Sequence, residues 1–394
     1  MKHLTIVIKP TYSCNARCTY CDYPKKGEKI KPMTEETFSL LVRRLEEILE
    51  FNNGQMSFTL EWHGGEPLLM PNSFYEHVEK TVKESKLKYV SYTLQTNLIL
   101  LDPEKHPAMI RLLGDRPSVG TSFDPVSDAR SLLGNKSYKK EFIKRFFSLK
   151  GVVNTGGVIY VSHKGTIGRE QEIYNYFKNL GFKSMNLNQA SDDNYYEPRE
   201  LNINPYEMGQ VLINFWEAWE KDNRSINIKP FVYWDEQSKS DKVTPKMTRH
   251  SGSCSKNMYC IIPTGEVYHC DLDIHYGFQP AGSLAEDSFM ELSKQKDFVQ
   301  RSDKKIKTSY KEEFEKYKQL EQKPLTRDEA LQEAGCAGCE WWNYCRGDCP
   351  RNAVFDQYND LYGKSYWCES YKMLFNKVFK NKNVEEKILM EEAL

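Results

Sequence analysis

The chain of 394 residues lacks net charge, because 55 Lys and Arg balance 55 Asp and Glu. Without surplus charge there is no global attraction to nucleic acid or to an anionic membrane. No stripe of interleaved aromatic and basic residues supplies a local one. A long apolar run is also missing. The first, Leu4 to Ile8, is too short and too early for a secretion signal or a membrane span. Internal repeats and low-complexity segments are absent, so the chain is not a repeat array. A composition of 39% hydrophobic and 28% charged residues is that of a globular protein, and the expected location is the cytoplasm.

What the chain does have is eleven cysteines in one arrangement. Cys14, Cys18 and Cys21 form a C-x3-C-x2-C triplet. Cys254, Cys260 and Cys270 follow far downstream, then Cys336, Cys339, Cys345 and Cys349, and last Cys368. In a reducing compartment, clustered cysteines ligate metal rather than pair as disulfides. Three thiolates can hold a four-iron cluster with one iron open, and eight can hold two closed clusters. A zinc site wants a tetrahedral set from motifs close together in sequence, which the triplet lacks. An electron-transfer protein is the alternative of a different class, but a wire has no use for polar loops such as those carrying Glu66 and Ser122.

The first 230 or so residues alternate between strand and helix patterns. Strands are expected at 4–8, 57–62, 90–96, 118–123, 152–161 and 184–188. Thr34 caps a helix running to Phe51, a second helix begins at Ser73, Gly181 stops a third, and Asn204-Pro205 opens a fourth. Repeated units of this length give parallel strands with functional loops at their C-terminal ends. The expected fold class is α/β, a partial (β/α)6 TIM-like barrel over residues 1–235. A linker at 236–253, a small iron–sulfur domain at 254–370 and a helix with a charged tail at 371–394 complete the chain. Residues 301–323, rich in Lys and Glu, read as a solvated surface helix.

The run Cys14-Asn15-Ala16-Arg17-Cys18-Thr19-Tyr20-Cys21, placed after the first strand, resembles the signature of the radical S-adenosylmethionine superfamily. The resemblance implies that Cys14, Cys18 and Cys21 hold a [4Fe–4S] cluster whose open iron binds S-adenosylmethionine, with Tyr20 and Tyr23 beside it. It implies that Gly64-Gly65-Glu66-Pro67 takes the methionine amino group, that Ser122 and Arg130 take its carboxylate, and that Ala190 lies near the adenine. The later cysteines resemble a SPASM domain. By that resemblance Cys254, Cys260, Cys270 and Cys349 hold one auxiliary cluster, and Cys336, Cys339, Cys345 and Cys368 another. The cofactors implied are three [4Fe–4S] clusters and S-adenosylmethionine.

Over nearly its whole length the chain resembles anaerobic sulfatase-maturating enzymes, through Ile8-Lys9-Pro10, Leu94-Gln95-Thr96-Asn97, Val267-Tyr268-His269-Cys270-Asp271, Cys345-Arg346-Gly347-Asp348-Cys349 and Cys368-Glu369-Ser370-Tyr371. This implies a 5′-deoxyadenosyl radical that initiates oxidation of a cysteine or serine to formylglycine, with Asp271 as the base. It implies a peptide or protein partner and a reducing donor such as flavodoxin or ferredoxin. Related enzymes of the same architecture crosslink ribosomally made precursor peptides, which is the alternative substrate class. Four features depart from the maturase pattern: His63 in place of glutamine, Leu98 in place of glycine, the Asp124-Pro125 segment, and the insertion at 301–323.

Overall fold

A computed structural model describes residues 2–21, 30–115, 117–134, 136–190, 200–239, 257–274, 278–301, 310–321, 327–353 and 363–380. The strands are β1 (Lys2–Ile8), β2 (Met56–Trp62), β3 (Val90–Thr96), β4 (Val119–Ser122), β5 (Gly157–Ser162), β6 (Ser184–Gln189), β7 (Asn227–Lys229), β8 (Met258–Ile261), β9 (Glu266–Tyr268) and β10 (Gly282–Ser283). The α-helices are α1 (Glu35–Phe51), α2 (Asn72–Glu84), α3 (Pro107–Leu113), α4 (Tyr138–Ser148), α5 (Glu170–Leu180), α6 (Pro205–Lys221), α7 (Phe231–Gln237), α8 (Phe289–Arg301), α9 (Tyr310–Lys318), α10 (Arg327–Leu331), α11 (Trp342–Cys345) and α12 (Cys368–Phe375). Two compact units result: residues 1–124, 128–158 and 253–324, and residues 125–127, 159–252 and 325–394.

In the first unit the strand order is β10-β9-β8-β1-β2-β3-β4. From β8 to β4 every pairing is parallel, while β9 and β10 run antiparallel. Period-two alternation buries Met56, Phe58, Leu60 and Trp62 on one face of β2. Trp62 packs edge-on against Phe74 and Tyr75 of α2. Thr34 caps α1 by accepting the Thr37 N–H at 3.2 Å, and Phe38, Leu41, Leu45 and Ile48 form its buried stripe. Parallel pairing sends the ends of β1, β2, β3 and β4 the same way. The cysteine loop, Gly64-Gly65-Glu66-Pro67, Asn97 and Phe123-Asp124 therefore share one edge.

Three strands of this sheet, β8, β9 and β10, come from beyond residue 235, where the sequence pattern gives no further strand–helix unit. β8 pairs with β1 so that Cys260 stands opposite Val7. Four residues are too few for alternation to declare itself, and the segment takes its place between β1 and β9. The periodicity also leaves out α3 and α4, and β5 starts five residues later than its apolar pattern.

In the second unit β6 pairs in parallel with β7. Gly181, at φ +91°, ends α5 in the left-handed conformation that glycine adopts without penalty. Asn204 and Glu207 form a reciprocal capping box at α6, with Pro205 in the first turn. α12 packs on α6, starting at Cys368 rather than at residue 371, and Trp216, Phe231, Trp234, Phe375 and Phe379 form an aromatic core. Of the 301–323 insertion, α9 is helical as expected; residues 302–309 and 322–323 lie outside the described residues. Among the described residues no helix is long and apolar enough to cross a membrane.

Candidate active site

The cysteine loop is built on main-chain bonds. Leaving β1, the chain presents the Thr11 and Ser13 carbonyls to the N–H groups of Gly65 and Glu66, at 3.0 and 2.9 Å. On its other side, Arg17 N–H donates to Ser131 O at 2.8 Å, Thr19 N–H to Ala129 O at 2.8 Å, and Leu133 N–H to Asn15 O at 3.1 Å. Burial pushes the Cys14 thiol up to about 11 and raises Cys18 as well. Such thiols ionise when a metal supplies the opposing charge. The Ala16 N–H already points at Cys14 Sγ, 3.4 Å away. Tyr23 lies outside the described residues.

Gly64 and Gly65 are glycine for a visible reason. A Cβ on Gly65 would sit 2.3 Å from Ser13 O, and one on Gly64, at φ +108°, would sit 2.5 Å from Thr11 O. Glu66 is fully buried, and its carboxylate takes the Thr96 hydroxyl at 2.7 Å, the Asn97 N–H at 2.9 Å and the Leu68 N–H at 3.1 Å. Burial still pushes it up to about 7. Glu66 thus ties the turn to the end of β3, and Pro67 follows it in a short 3-10 turn. Asn97 extends the tie by donating to Asn15 Oδ1 at 2.7 Å.

Arg130 lies between the two residues, Ala129 and Ser131, that bond to the cysteine loop. Its guanidinium carbon is 5.4 Å from the ring centre of Tyr20 and 5.6 Å from that of Tyr138. Its Nε is enclosed without a hydrogen-bond partner in the structure. Ser122 Oγ accepts from Gln95 Nε2 at 3.2 Å, and the Tyr138 hydroxyl lies 3.3 Å from the Ser122 carbonyl. A buried guanidinium with an enclosed Nε–H that lacks a partner is a group suited to a carboxylate.

A second polar group gathers around Asp271. Cys260 on β8 and Cys270 just after β9 flank Lys9, which is 1% exposed and donates its Nζ to the Asp271 carbonyl at 2.6 Å. Burial opposes the Lys9 charge, but Cys260 and Asp271 outweigh it and hold the ammonium above its ordinary range. Burial pushes Cys260 up to about 12, with Lys9 opposing, and Glu61 up to about 7, with Asp271 adding to the rise. Cys254 lies outside the described residues.

In the second unit the Cys345–Cys349 loop passes through Arg346, Gly347 and Asp348 with φ of 50°, 76° and 57°. One oxygen of buried Asp348 accepts from Asn352 Nδ2 at 2.6 Å, Ser365 Oγ at 2.8 Å and the Tyr371 hydroxyl at 3.0 Å. This links the loop to the segment carrying Cys368. Burial raises Cys345, and the charges of Asp348, Cys368 and Cys336 add to it. Cys339 N–H donates to Cys336 O at 3.2 Å, and Cys349 O accepts from Asn352 N–H at 2.9 Å. Ala190, also in this unit, is buried at the end of β6, its N–H on Ser162 O at 2.8 Å.

Among the described residues no three Cys, His, Asp or Glu side chains converge on a point where a single metal ion would sit. Cys336, Cys345 and Cys368 nonetheless feel one another's charge, as Cys14 feels that of Cys18. All-thiol donor sets are those that iron–sulfur clusters take. Sequence patterns alone miss Lys9, Tyr138, Asn97 and Glu61. For Lys9 a signal exists: a lysine between Ile8 and Pro10 at the end of an apolar strand.

Residues 8–147 match the model of the Radical SAM superfamily, and this part of the chain is a radical SAM domain. The class so defined is that of radical SAM enzymes. Nearly the whole chain is similar to the cysteine-type anaerobic sulfatase-maturating enzyme of Clostridium perfringens, 25% identical over 96% of this chain and 97% of that one. The serine-type anaerobic sulfatase-maturating enzyme of Bacteroides thetaiotaomicron is 22% identical over 99% of this chain and 93% of its own. A solved structure of anSMEcpe with bound AdoMet and the Cp18Cys peptide superposes with a TM-score of 0.73, 21% identity, and coverage of 98% and 99%. The fold is accordingly a partial TIM-like radical SAM core within a mixed α/β chain.

Proposed function

We propose that this chain oxidises a cysteine or serine side chain of a peptide or protein substrate to formylglycine, as a sulfatase maturase. The observation that carries the reading is the joining of the cysteine loop, by main-chain bonds, to both the Gly64-Gly65 turn and the Arg130 loop. Cys14, Cys18 and Cys21 would hold a [4Fe–4S] cluster. When bound and reduced, that cluster supplies the electron that cleaves S-adenosylmethionine to methionine and a 5′-deoxyadenosyl radical. Arg130 and Ser122 would orient the methionine carboxylate, and the Gly64–Pro67 turn its ammonium. Tyr20, Tyr23 and Ala190 are proposed neighbours of the cofactor. Asp271 would take the proton from the substrate thiol or hydroxyl.

The domain limits proposed are 1–235 for the barrel, 236–253 for the linker, 254–370 for the SPASM domain and 371–394 for the closing segment. Two auxiliary clusters are proposed, one on Cys254, Cys260, Cys270 and Cys349, the other on Cys336, Cys339, Cys345 and Cys368. The mutual influence of Cys336, Cys345 and Cys368 supports the second set. Three clusters of four correspond to about twelve iron atoms per chain. A flavodoxin or ferredoxin is the proposed donor, in the cytoplasm.

The test is anaerobic. The protein is reconstituted with iron and sulfide, reduced, and given S-adenosylmethionine with two peptides. One carries a Cys-x-Pro-x-Arg site and the other an aromatic-rich precursor-like sequence. Conversion of the thiol to an aldehyde supports the reading. A crosslink on the second peptide with no change in the first replaces it with peptide cyclisation.

A further inference from the structure

His63 follows the last residue of β2, and its N–H donates to the Ile8 carbonyl at 2.8 Å. The residue after β1, Lys9, holds the carbonyl of Asp271 at 2.6 Å. The C-terminal end of one strand thus fixes His63 and Asp271 at the same edge of the sheet. The His63 Nδ1 lies 2.8 Å from the Gly64 N–H and accepts it. A ring nitrogen that accepts carries no hydrogen, so the neutral imidazole keeps its hydrogen on Nε2. A backbone contact, rather than solvent, sets this tautomer.

Among the described residues none accepts from Nε2. The charged groups acting on the ring are Asp271 and Lys9. Burial lowers the affinity of His63 for a second proton, Asp271 opposes that fall and Lys9 adds to it. His63 therefore offers a donor at Nε2 and is not a base there. The Asp271 side chain, the proposed proton acceptor, supplies carboxylate oxygens that accept. A donor and an acceptor held at one edge suit a group that does both. A hydroxyl donates and accepts strongly, whereas a thiol does both weakly.

We propose that His63 is a specificity-determining residue that donates its Nε2 hydrogen to the side-chain oxygen of a substrate serine, so that the site favours a hydroxyl over a thiol at the position attacked. This rests on the reading of the chain as a side-chain oxidase with Asp271 as proton acceptor.

The experiment uses the reconstituted holoenzyme and two peptides, Ser-x-Pro-x-Arg and Cys-x-Pro-x-Arg in one otherwise identical sequence. kcat and KM are measured for wild type, His63→Ala and His63→Gln, and each peptide's Kd is measured with S-adenosylmethionine but no reductant. Loss of one buried donor corresponds to about a tenfold fall. His63→Ala is expected to lower kcat/KM for the serine peptide about that much and to leave the cysteine peptide within about twofold. His63→Gln, whose carboxamide still donates, is expected to restore most of the serine activity. Should the alanine variant fail to fold, His63→Phe takes its place, filling the volume without a donor. An equal loss on both peptides, or no loss on either, overturns the role of His63 while leaving the oxidase reading intact. Absence of oxidation of both peptides by the wild type removes the oxidase reading, and the inference with it.

Discussion

Lys9 and Asp271 are 262 positions apart in sequence, yet the Lys9 ammonium donates to the Asp271 carbonyl at 2.6 Å. The contact holds the proposed base in register with the start of the cysteine loop. Lys9→Met keeps most of the side chain's volume and removes the charge. It is expected to leave S-adenosylmethionine cleavage near wild type and to cut peptide oxidation on the order of tenfold, since small misplacements of a reacting group are costly. The ratio of deoxyadenosine to oxidised peptide checks this; an unchanged ratio contradicts it.

Gly65 meets Ser13 O too closely for any side chain, at 2.3 Å from an ideal Cβ. Gly65→Ala is expected to destabilise the fold by about 1–3 kcal/mol, in the range of overpacked sites, and to abolish deoxyadenosine release. Gly54→Ala is the contrast: nothing lies within 4 Å of its Cβ, and only the positive φ of 72° opposes it. Its expected cost is about 1 kcal/mol. Thermal unfolding of both variants, with deoxyadenosine measured by chromatography, separates the two effects.

Cys18→Ala removes one of three proposed ligands and is expected to abolish deoxyadenosine formation altogether. Arg130→Met leaves the cysteines in place. Its expected effect is a higher KM for S-adenosylmethionine, about 10- to 100-fold, from loss of a charge-assisted pair. A KM within twofold of wild type would remove Arg130 from the carboxylate site.

Glu61 provides a pH signature. Burial and then Asp271 move its carboxyl from an ordinary 4.5 up to about 7. The folded state therefore holds the proton more tightly than the unfolded chain. Stability from this group is complete below about 4.5 and is lost as pH rises through about 7. Glu61→Gln is expected to flatten that decline, on the order of 1–3 kcal/mol after allowance for partial solvent access. Chemical denaturation at pH 5 and pH 8 measures it, and parallel curves for wild type and variant would refute it.

Asp348→Ala leaves three buried donors, on Asn352, Ser365 and Tyr371, without their shared acceptor. The expected cost is about 3–5 kcal/mol. Iron content is expected to fall as well, because the clamp joins the Cys345 loop to Cys368. Full iron retention with unchanged unfolding would contradict the clamp.

Much of this site is legible in sequence because its grammar is local. β3 occupies its expected span, Pro205 opens α6, Gly181 closes α5, and the cysteine loop and glycine turn stand at strand ends. Leu98 marks where local grammar stops. Its φ is +66° and it is fully buried, so the left-handed backbone that glycine usually serves is present here with a leucine in it. Packing pays for a conformation that propensity disfavours. Glu66 is similar. A Gly-Gly-Glu-Pro string says "turn", but its partners Thr96 and Asn97 come from another strand. β8 and Lys9 acquire meaning only once residues 258–261 return to β1.

The ladder between the cysteine loop and residues 129–133 uses peptide groups, which every residue but proline carries in full. Radical initiation is thereby insulated from sequence drift on the outward faces of both loops. Descendants of such a chain can revise what they recognise, through residues such as His63, without retuning how the reaction is started. One ignition system can then serve many cargoes, and the cargo is to be sought in the side chains, never in the ladder.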